Sequence, residues 1–465
     1  NVPYHPQHWT KVSMDGYKEG DFAMTIGYPG STERYLSSYG IRQMRDAENA
    51  PRAQVRGVKQ DVMIKHMRAD EAVRIKYDSK YAQSSNYWKN SLGMNKCIDS
   101  VGIVRQKADF EDRIMEFQKW TGYLKGKLDF DKMAQLYAKQ LDVTKEFTAL
   151  RETFGGTSEF NSRAIRLAMM VPAKAGKAAK KAKSTYVFED NSAEWDAALD
   201  KDVQAALIDN FRKYVSADQL PAFYKTIEEK FGGDSRKYVD WLYSTSVVMK
   251  SGKKIKLNEK ALAKDPGYQY GKQINEMMNK CRSLLMPLRE EIAEQEKYLC
   301  DAKVRMEQEL PHYSDANFTM RLSYGQVGGY MLGGKPSGYY TTAESIVEKM
   351  DRAGQQPDWK AEPIMRQLLS SDDFEPYRDK QTGKMQLCFL TNNDITGGNS
   401  GSPMFDGKGQ LIGLAFDGNW DSLSSDINFD SNLARCIGVD IRYVVYMIDK
   451  WGHADRLLKE IGVEK

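Results

Sequence analysis

One serine in this chain has neighbours that could make it reactive. Thr391-Asn392-Asn393-Asp394-Ile395-Thr396-Gly397-Gly398-Asn399-Ser400-Gly401-Ser402-Pro403 is a polar, glycine-rich stretch. It lies between two apolar runs, Leu387-Cys388-Phe389-Leu390 and Leu411-Ile412-Gly413-Leu414-Ala415-Phe416, a pattern that predicts strand, tight loop, strand. Small residues on both sides of Ser400 let the backbone approach a ligand, and successive N–H groups in such a turn can form a concave anion site. A hydroxyl that attacks a carbonyl needs such a site, because the tetrahedral oxyanion must be met by fixed donors. The backbone N–H groups of Gly398 and Ser400 are the donors this spacing nominates. The same residue types also build ordinary hairpin loops, so the turn alone leaves a purely structural role open.

Serine is a weak nucleophile until an imidazole takes its proton, and the imidazole must be oriented by a carboxylate. Five histidines are available, His5, His8, His66, His312 and His453. His5 and His8 flank Pro6, His66 lies in a charged helical stretch, and His453 follows Trp451-Gly452. Each reads as a surface or core-edge side chain rather than a base.

The elements that must carry the serine turn are legible as a change of texture along the chain. Residues 1–41 read as β-structure, with Asp21-Phe22-Ala23-Met24-Thr25-Ile26-Gly27 closed by a Tyr28-Pro29-Gly30 turn. Residues 42–312 are long, charged and glycine-poor, with helical spacing. Phe110, Ile114, Phe117, Trp120 and Leu124 share one face, Leu207, Phe211 and Val215 another, and Cys281, Leu284, Leu285, Leu288, Ile292 and Leu299 a third. These stripes are expected to be core packing. Pro172 to Lys183 is a basic low-complexity run, expected to be a solvated helix face or connector. Residues 313–465 return to strands, beginning with the alternating stretch from Phe318 to Tyr330. A short helix is expected from Ala343 to Met350, and a terminal amphipathic helix through Leu457, Leu458 and Ile461.

Composition narrows the function classes. The 68 basic and 64 acidic residues nearly cancel, so bulk charge does not point to nucleic acid. No apolar run approaches the roughly 20 residues of a membrane span. Cys97, Cys281, Cys300, Cys388 and Cys436 form no C-x-x-C pair, which leaves zinc and thioredoxin-type chemistry without support. No cofactor and no metal is expected.

Gly398-Asn399-Ser400-Gly401-Ser402-Pro403 resembles the nucleophile loop of chymotrypsin-fold serine peptidases, with Asn399 where many members carry Asp. The longer string from Thr391 to Phe405, continued by Gly413-Leu414-Ala415-Phe416-Asp417-Gly418-Asn419-Trp420, resembles the bacterial dipeptidyl-peptidase 7 and 11 family, closer to dipeptidyl-peptidase 7. The resemblance implies an α+β fold, a chymotrypsin-like double β-barrel, incomplete here, carrying a large α-helical insertion. Residues 1–41 would then end the N-terminal barrel portion, 42–312 form the helical cap, and 313–465 form the C-terminal barrel with the nucleophile loop and terminal helix. Gly27-Tyr28-Pro29-Gly30 followed by Ser31-Thr32-Glu33-Arg34-Tyr35 matches a family segment that comes after the first two triad members. The catalytic His and Asp are therefore expected upstream of Asn1, and this chain alone is expected to be inactive without that N-terminal portion of the same precursor. The opening Asn1-Val2-Pro3 has no initiating Met and no apolar leader, and reads as internal to a longer gene product.

The resemblance also implies a substrate. Phe416 and Asp417 match the pair that meets a free α-amine, and Asn86, with Asn90 as the other candidate, matches an asparagine at the same end of the peptide. A carboxylate facing an α-ammonium selects chain ends over internal segments. At the next position the acidic-selective branch carries arginine and this chain has Gly418, which implies dipeptides with a bulky apolar second residue. Expected partners are oligopeptides with a free N-terminus and a second copy in a homodimer, with no nucleic acid and no membrane span. The family is exported to the periplasm or cell surface of Gram-negative bacteria. The rival readings are an acidic-selective member, an endopeptidase of the same fold, and a helical binding or scaffold protein.

Overall fold

Strands form where apolar residues alternate with small or polar ones in the first and last parts of the chain. In the computed structural model, which describes residues 6–171, 184–352 and 361–463, those of the main sheet are β1 (Phe22–Gly27), β2 (Arg321–Gln326), β3 (Tyr340–Thr342), β4 (Gln386–Thr391), β5 (Pro403–Phe405), β6 (Leu411–Gly418) and β7 (Cys436–Asp440). They make one antiparallel sheet in the order β2-β1-β5-β6-β7-β4-β3. The sheet rolls on itself, because Val327, just past β2, bridges antiparallel to Thr391 at the end of β4. Gly328 N–H donates to Leu390 O at 3.0 Å and Asn392 N–H to Gln326 O at 3.2 Å, so the ends of the roll satisfy each other's backbone. β3 is appended outside that closure.

Ala23, Phe389, Met404, Ile412, Ala415 and Cys436 fill the inside of the roll. Gly413 and Gly438 make room for the Phe389 ring, since a Cβ there would stand 2.5 and 2.9 Å from it. Outside, Leu387, Leu369, Tyr377, Ile441, Val445 and Tyr446 form a second core with the helices Pro363–Ser370 and Ile441–Tyr446. The roll and its helices make up one compact unit, Asn1–Tyr35 with Pro311–Lys465; the other unit is Leu36–Leu310.

The second unit is helical because its apolar residues recur at three to four and its helix starts are capped. Asp70, Asp129, Ser158, Asp196 and Asp265 each accept from a first-turn N–H. On the helix Pro266–Met306, Cys281, Leu285, Ile292 and Leu299 are buried while Leu284 is half-exposed. An aromatic cluster centres on Phe154, Phe160, Phe211, Phe223 and Tyr270.

Three stretches differ from the sequence reading. Ile114 is buried but Trp120 is 84% exposed, and the helix Ile103–Thr121 stops at left-handed Gly122. Leu124 therefore lies in the following turn with φ 56°. Val215 falls beyond the helix Ala197–Phe211. Phe318 has φ 62°, a left-handed backbone that delays β2 until Arg321. His5 and the basic run 172–183 lie outside the described residues. No helix among the described residues is long and apolar enough to cross a membrane.

Candidate active site

The serine turn spans the gap between β4 and β5 and is tied down on both sides. The Asn393 amide donates to Ala23 O at 3.3 Å and Ser323 O at 3.0 Å. Asp394 receives both terminal nitrogens of Arg34 at 2.5 and 2.7 Å, and Arg34 Nε donates to Ser425 O at 2.9 Å. Such a bidentate pair fixes geometry as well as charge. Gly30 N–H donates to Gly397 O at 2.7 Å, Ser402 N–H to Asn399 O at 2.8 Å, and Gly401 N–H to Ala415 O at 2.7 Å. Gly398 has φ 109°, and a Cβ there would run into the carbonyl of Tyr28, so only glycine suits this position.

What the anchored turn leaves open is the chemistry. Ser400 is exposed, and its Oγ donates one long bond, 3.4 Å, to the carbonyl of Phe416. Among the described residues the N–H groups of Gly398 and Ser400 have no protein acceptor. One hydroxyl beside two free N–H groups can attack a carbonyl and hold the resulting oxyanion. No described imidazole bonds to Ser400; His66 Nε2 is held by Asp202 at 2.9 Å in the helical unit. Burial pushes the Cys436 and Cys281 thiols up to about 12, away from the reactive thiolate form.

β6 brings the next three candidates to the same place. Ala415 pairs with Gly438 but Asp417 with Ile437, so Phe416 is the extra residue of a bulge, a device that re-aims side chains. Phe416 and Asp417 are both exposed, and Asp417 Oδ1 accepts the N–H of Gly418 at 2.8 Å. The space a side chain at 418 would enter is filled by the hydroxyl of Ser422, which donates to Asn419 O at 2.7 Å. Asn86 belongs to the helical unit, exposed on the helix Glu71–Val101 beside exposed Tyr87.

Sequence reasoning missed two of the neighbours, Ser422 and Arg435. Arg435, one residue before β7, is buried and donates to the carbonyls of Gly328, Gly329, Ser431 and Ala434 at 2.6 to 3.2 Å. Burial lowers its pKa against a weaker pull from Tyr330 and Asp430, and it forms no ion pair among the described residues. Asp426 could not be placed from sequence. Its carbonyl accepts from Glu33 N–H at 2.7 Å, and its carboxyl, raised by burial and drawn back by the Thr396 hydroxyl, stands near Arg34 and Asp394. Only an isolated charge in a polar loop marked either residue in the sequence. Beside the turn a crevice of about 510 Å³ is lined by Arg34, Tyr313, Leu322, Tyr324, Ile395 and Thr396.

An exposed serine next to free backbone donors, carried on a rolled antiparallel sheet, is an arrangement suited to acyl-transfer hydrolases. The peptidase S46 family model matches residues 1–463. Dipeptidyl-peptidase 7 of Porphyromonas endodontalis is 41% identical, over all of this chain and 57% of that protein. The Porphyromonas gingivalis protein of the same name is 40% identical, over 99% of this chain and 65% of its own length. Among solved structures, P. endodontalis DPP11 in complex with the dipeptide Arg-Glu matches with TM-score 0.85 and 26% identity, covering all of this chain and 67% of that one. This chain belongs to the peptidase S46 family. It spans somewhat under two thirds of the length of the curated relatives it matches.

Proposed function

We propose that this chain is the nucleophile-bearing part of a serine dipeptidyl-peptidase that releases N-terminal dipeptides with a bulky apolar second residue from oligopeptides. The observation that carries the reading is Ser400, exposed beside two backbone N–H groups, its own and that of Gly398, that no atom of the described residues accepts from. In this reading Ser400 Oγ attacks the carbonyl carbon of the second residue while an imidazole takes its proton. The oxyanion is held by the N–H groups of Gly398 and Ser400. The imidazole then protonates the departing amine, and water attacks the acyl-enzyme to free the dipeptide. The base and its orienting carboxylate come from polypeptide outside this chain, together with a second barrel that completes a chymotrypsin-like pair. The names of the relatives, and their greater length, support this division.

Asp417 takes the α-ammonium of the peptide, with Phe416 as an apolar wall; Asn86, in the helical unit, is kept as a peptide-binding residue on its match to the family segment alone. The exposure of Phe416 and Asp417 on the bulge, next to the carbonyl that Ser400 touches, supports their role. The second residue lies toward Gly418. Ser422 closes that position, and nearby Arg435 already donates to four carbonyls, so neither neighbour offers a free cation to an acidic side chain there. An aliphatic or aromatic side chain gains roughly 1.5–3 kcal/mol on burial. Residues 1–41 and 313–465 act as the barrel part, 42–312 as a cap, and the whole protein works as a homodimer in the periplasm or at the cell surface of a Gram-negative bacterium.

The test uses the complete protein with a fluorophosphonate probe and dipeptide reporters ending in Leu, Phe and Asp. Labelling of the wild type and none of Ser400→Ala is expected, with Leu and Phe reporters cleaved faster than Asp. Equal labelling of Ser400→Ala removes the nucleophile assignment, and faster cleavage after Asp removes the pocket argument.

A further inference from the structure

The helical unit contains a second cavity, of about 190 Å³, whose wall includes Lys59, Tyr77, Lys80, Ser158, Trp195 and Asp200. Four helices contribute to it or start beside it: Ala50–Ala69, Glu71–Val101, Glu159–Met170 and Ala197–Phe211. Its polar groups are lopsided. The two acids on the wall already have donors. Asp200 accepts from the N–H of Glu159 at 3.0 and 2.9 Å, from that of Phe160 at 3.4 Å, and from Tyr243 OH at 2.6 Å. Glu159 Oε1 accepts from Arg163 Nε at 2.7 Å and from the Asn191 amide at 2.9 Å.

The donors are in the opposite position. Lys80 gives one bond, 2.7 Å, to Glu194 O and lies 4.7 Å over the Tyr77 ring. Trp195 Nε1 is buried with no acceptor. Among the described residues Lys59 makes no ion pair or hydrogen bond. Burial lowers its pKa to about 8 and the like charge of Arg56 adds to the shift, against a weaker pull from Glu152 and Asp200. A buried donor left without an acceptor is costly; the Trp195 N–H is one, and the half-buried Lys59 ammonium, also without a bond, shares with it one space whose acids are occupied. Missing from such a wall is an acceptor carrying negative charge.

We propose that this cavity binds a small oxyanion, a carboxylate or phosphate, through the Lys59 ammonium and the Trp195 indole N–H, with Lys80 adding positive charge. The site stands apart from the dipeptidyl-peptidase reading and survives if that reading fails. A bound anion gives both orphan donors a partner and removes the penalty on charged Lys59.

The experiment follows Lys59 in the full chain by NMR after reductive ¹³C-methylation, at constant ionic strength in chloride, titrating sodium acetate or inorganic phosphate. A saturable rise in the Lys59 pKa of about one unit or more is expected with at least one anion, and the responding anion tells a peptide-type carboxylate from a phosphate. Trp195→Phe keeps the shape and removes the N–H, and should weaken binding roughly tenfold or more. Lys59→Met should abolish binding, followed by thermal shift, while its melting temperature in chloride stays equal to or above that of the wild type, which separates lost binding from lost folding. No saturable response to either anion, or binding to both variants as tight as to the wild type, overturns the proposal.

Discussion

Two polar regions of the rolled-sheet unit treat their hydrogen-bonding groups in opposite ways. Around Arg442, which is 2% exposed, every nitrogen of the guanidinium donates to a partner. Nε and Nη2 donate to Asp440 at 2.6 to 3.3 Å, Nη1 to Asp379 at 2.8 Å, and Nη2 to Gln386 at 3.1 Å. Tyr17 OH closes the cluster on Asp440 at 2.7 Å. At the serine turn, two N–H groups and an exposed hydroxyl are left over although the backbone around them is firmly tied. A charge can be buried only when its partners are complete, whereas a site that must receive a ligand keeps donors fixed in position and unclaimed. Both regions are held by hydrogen bonds, and only one of them faces solvent with capacity to spare.

The largest expected effect comes from breaking the satisfied region. Arg442→Met leaves Asp440 and Asp379 buried without a counter-charge and should lower unfolding free energy by about 3–5 kcal/mol in urea titrations. Fluorophosphonate labelling of Ser400 in the molecules that remain folded should be unchanged. A loss under about 1 kcal/mol would erase the contrast between the two regions.

Gly398→Ala attacks the open region instead. The new methyl meets the Tyr28 carbonyl and must adopt a left-handed φ, so the Gly398 N–H swings away from where the oxyanion forms. On the complete protein kcat/KM should fall roughly 10²- to 10³-fold, with a smaller change in melting temperature than Arg442→Met produces. Retained activity would mean that this N–H is not a donor to the reaction.

The smallest effect tests an intermediate case. Asp200 is buried and well hydrogen-bonded but forms no ion pair among the described residues, and burial raises it to about 6. A carboxyl whose folded pKa lies above its unfolded value near 3.8 favours folding most when protonated. Its contribution is therefore complete below about pH 4, is lost as pH climbs toward 6, and is flat above, a change of about 2–3 kcal/mol. Asp200→Asn should remove that slope, seen by comparing urea midpoints from pH 4 to 7. A constant difference between wild type and variant across that range would show that Asp200 ionises normally.

The sequence alone determined what depends on neighbours along the chain. Gly398 and Gly401 marked the turn, β4 and β6 lay where the apolar runs were read, and the spacing of Cys281, Leu285, Ile292 and Leu299 marked one face of a long helix. Turn chemistry, strand alternation and helical period act over a few residues, so they survive without tertiary information. The tertiary structure decided what depends on distant partners. Arg34 reaches Asp394, Tyr17 reaches Asp440, Val327 bridges Thr391, Ser422 fills the space at Gly418, and Lys59 shares a wall with Trp195. Trp120 shows the same limit from the other side, for its spacing fitted the buried stripe while only the packing of other segments could say whether anything covered it. Burial, closure and pairing are properties of chain segments brought together from far apart, and local spacing carries no record of which segments those are.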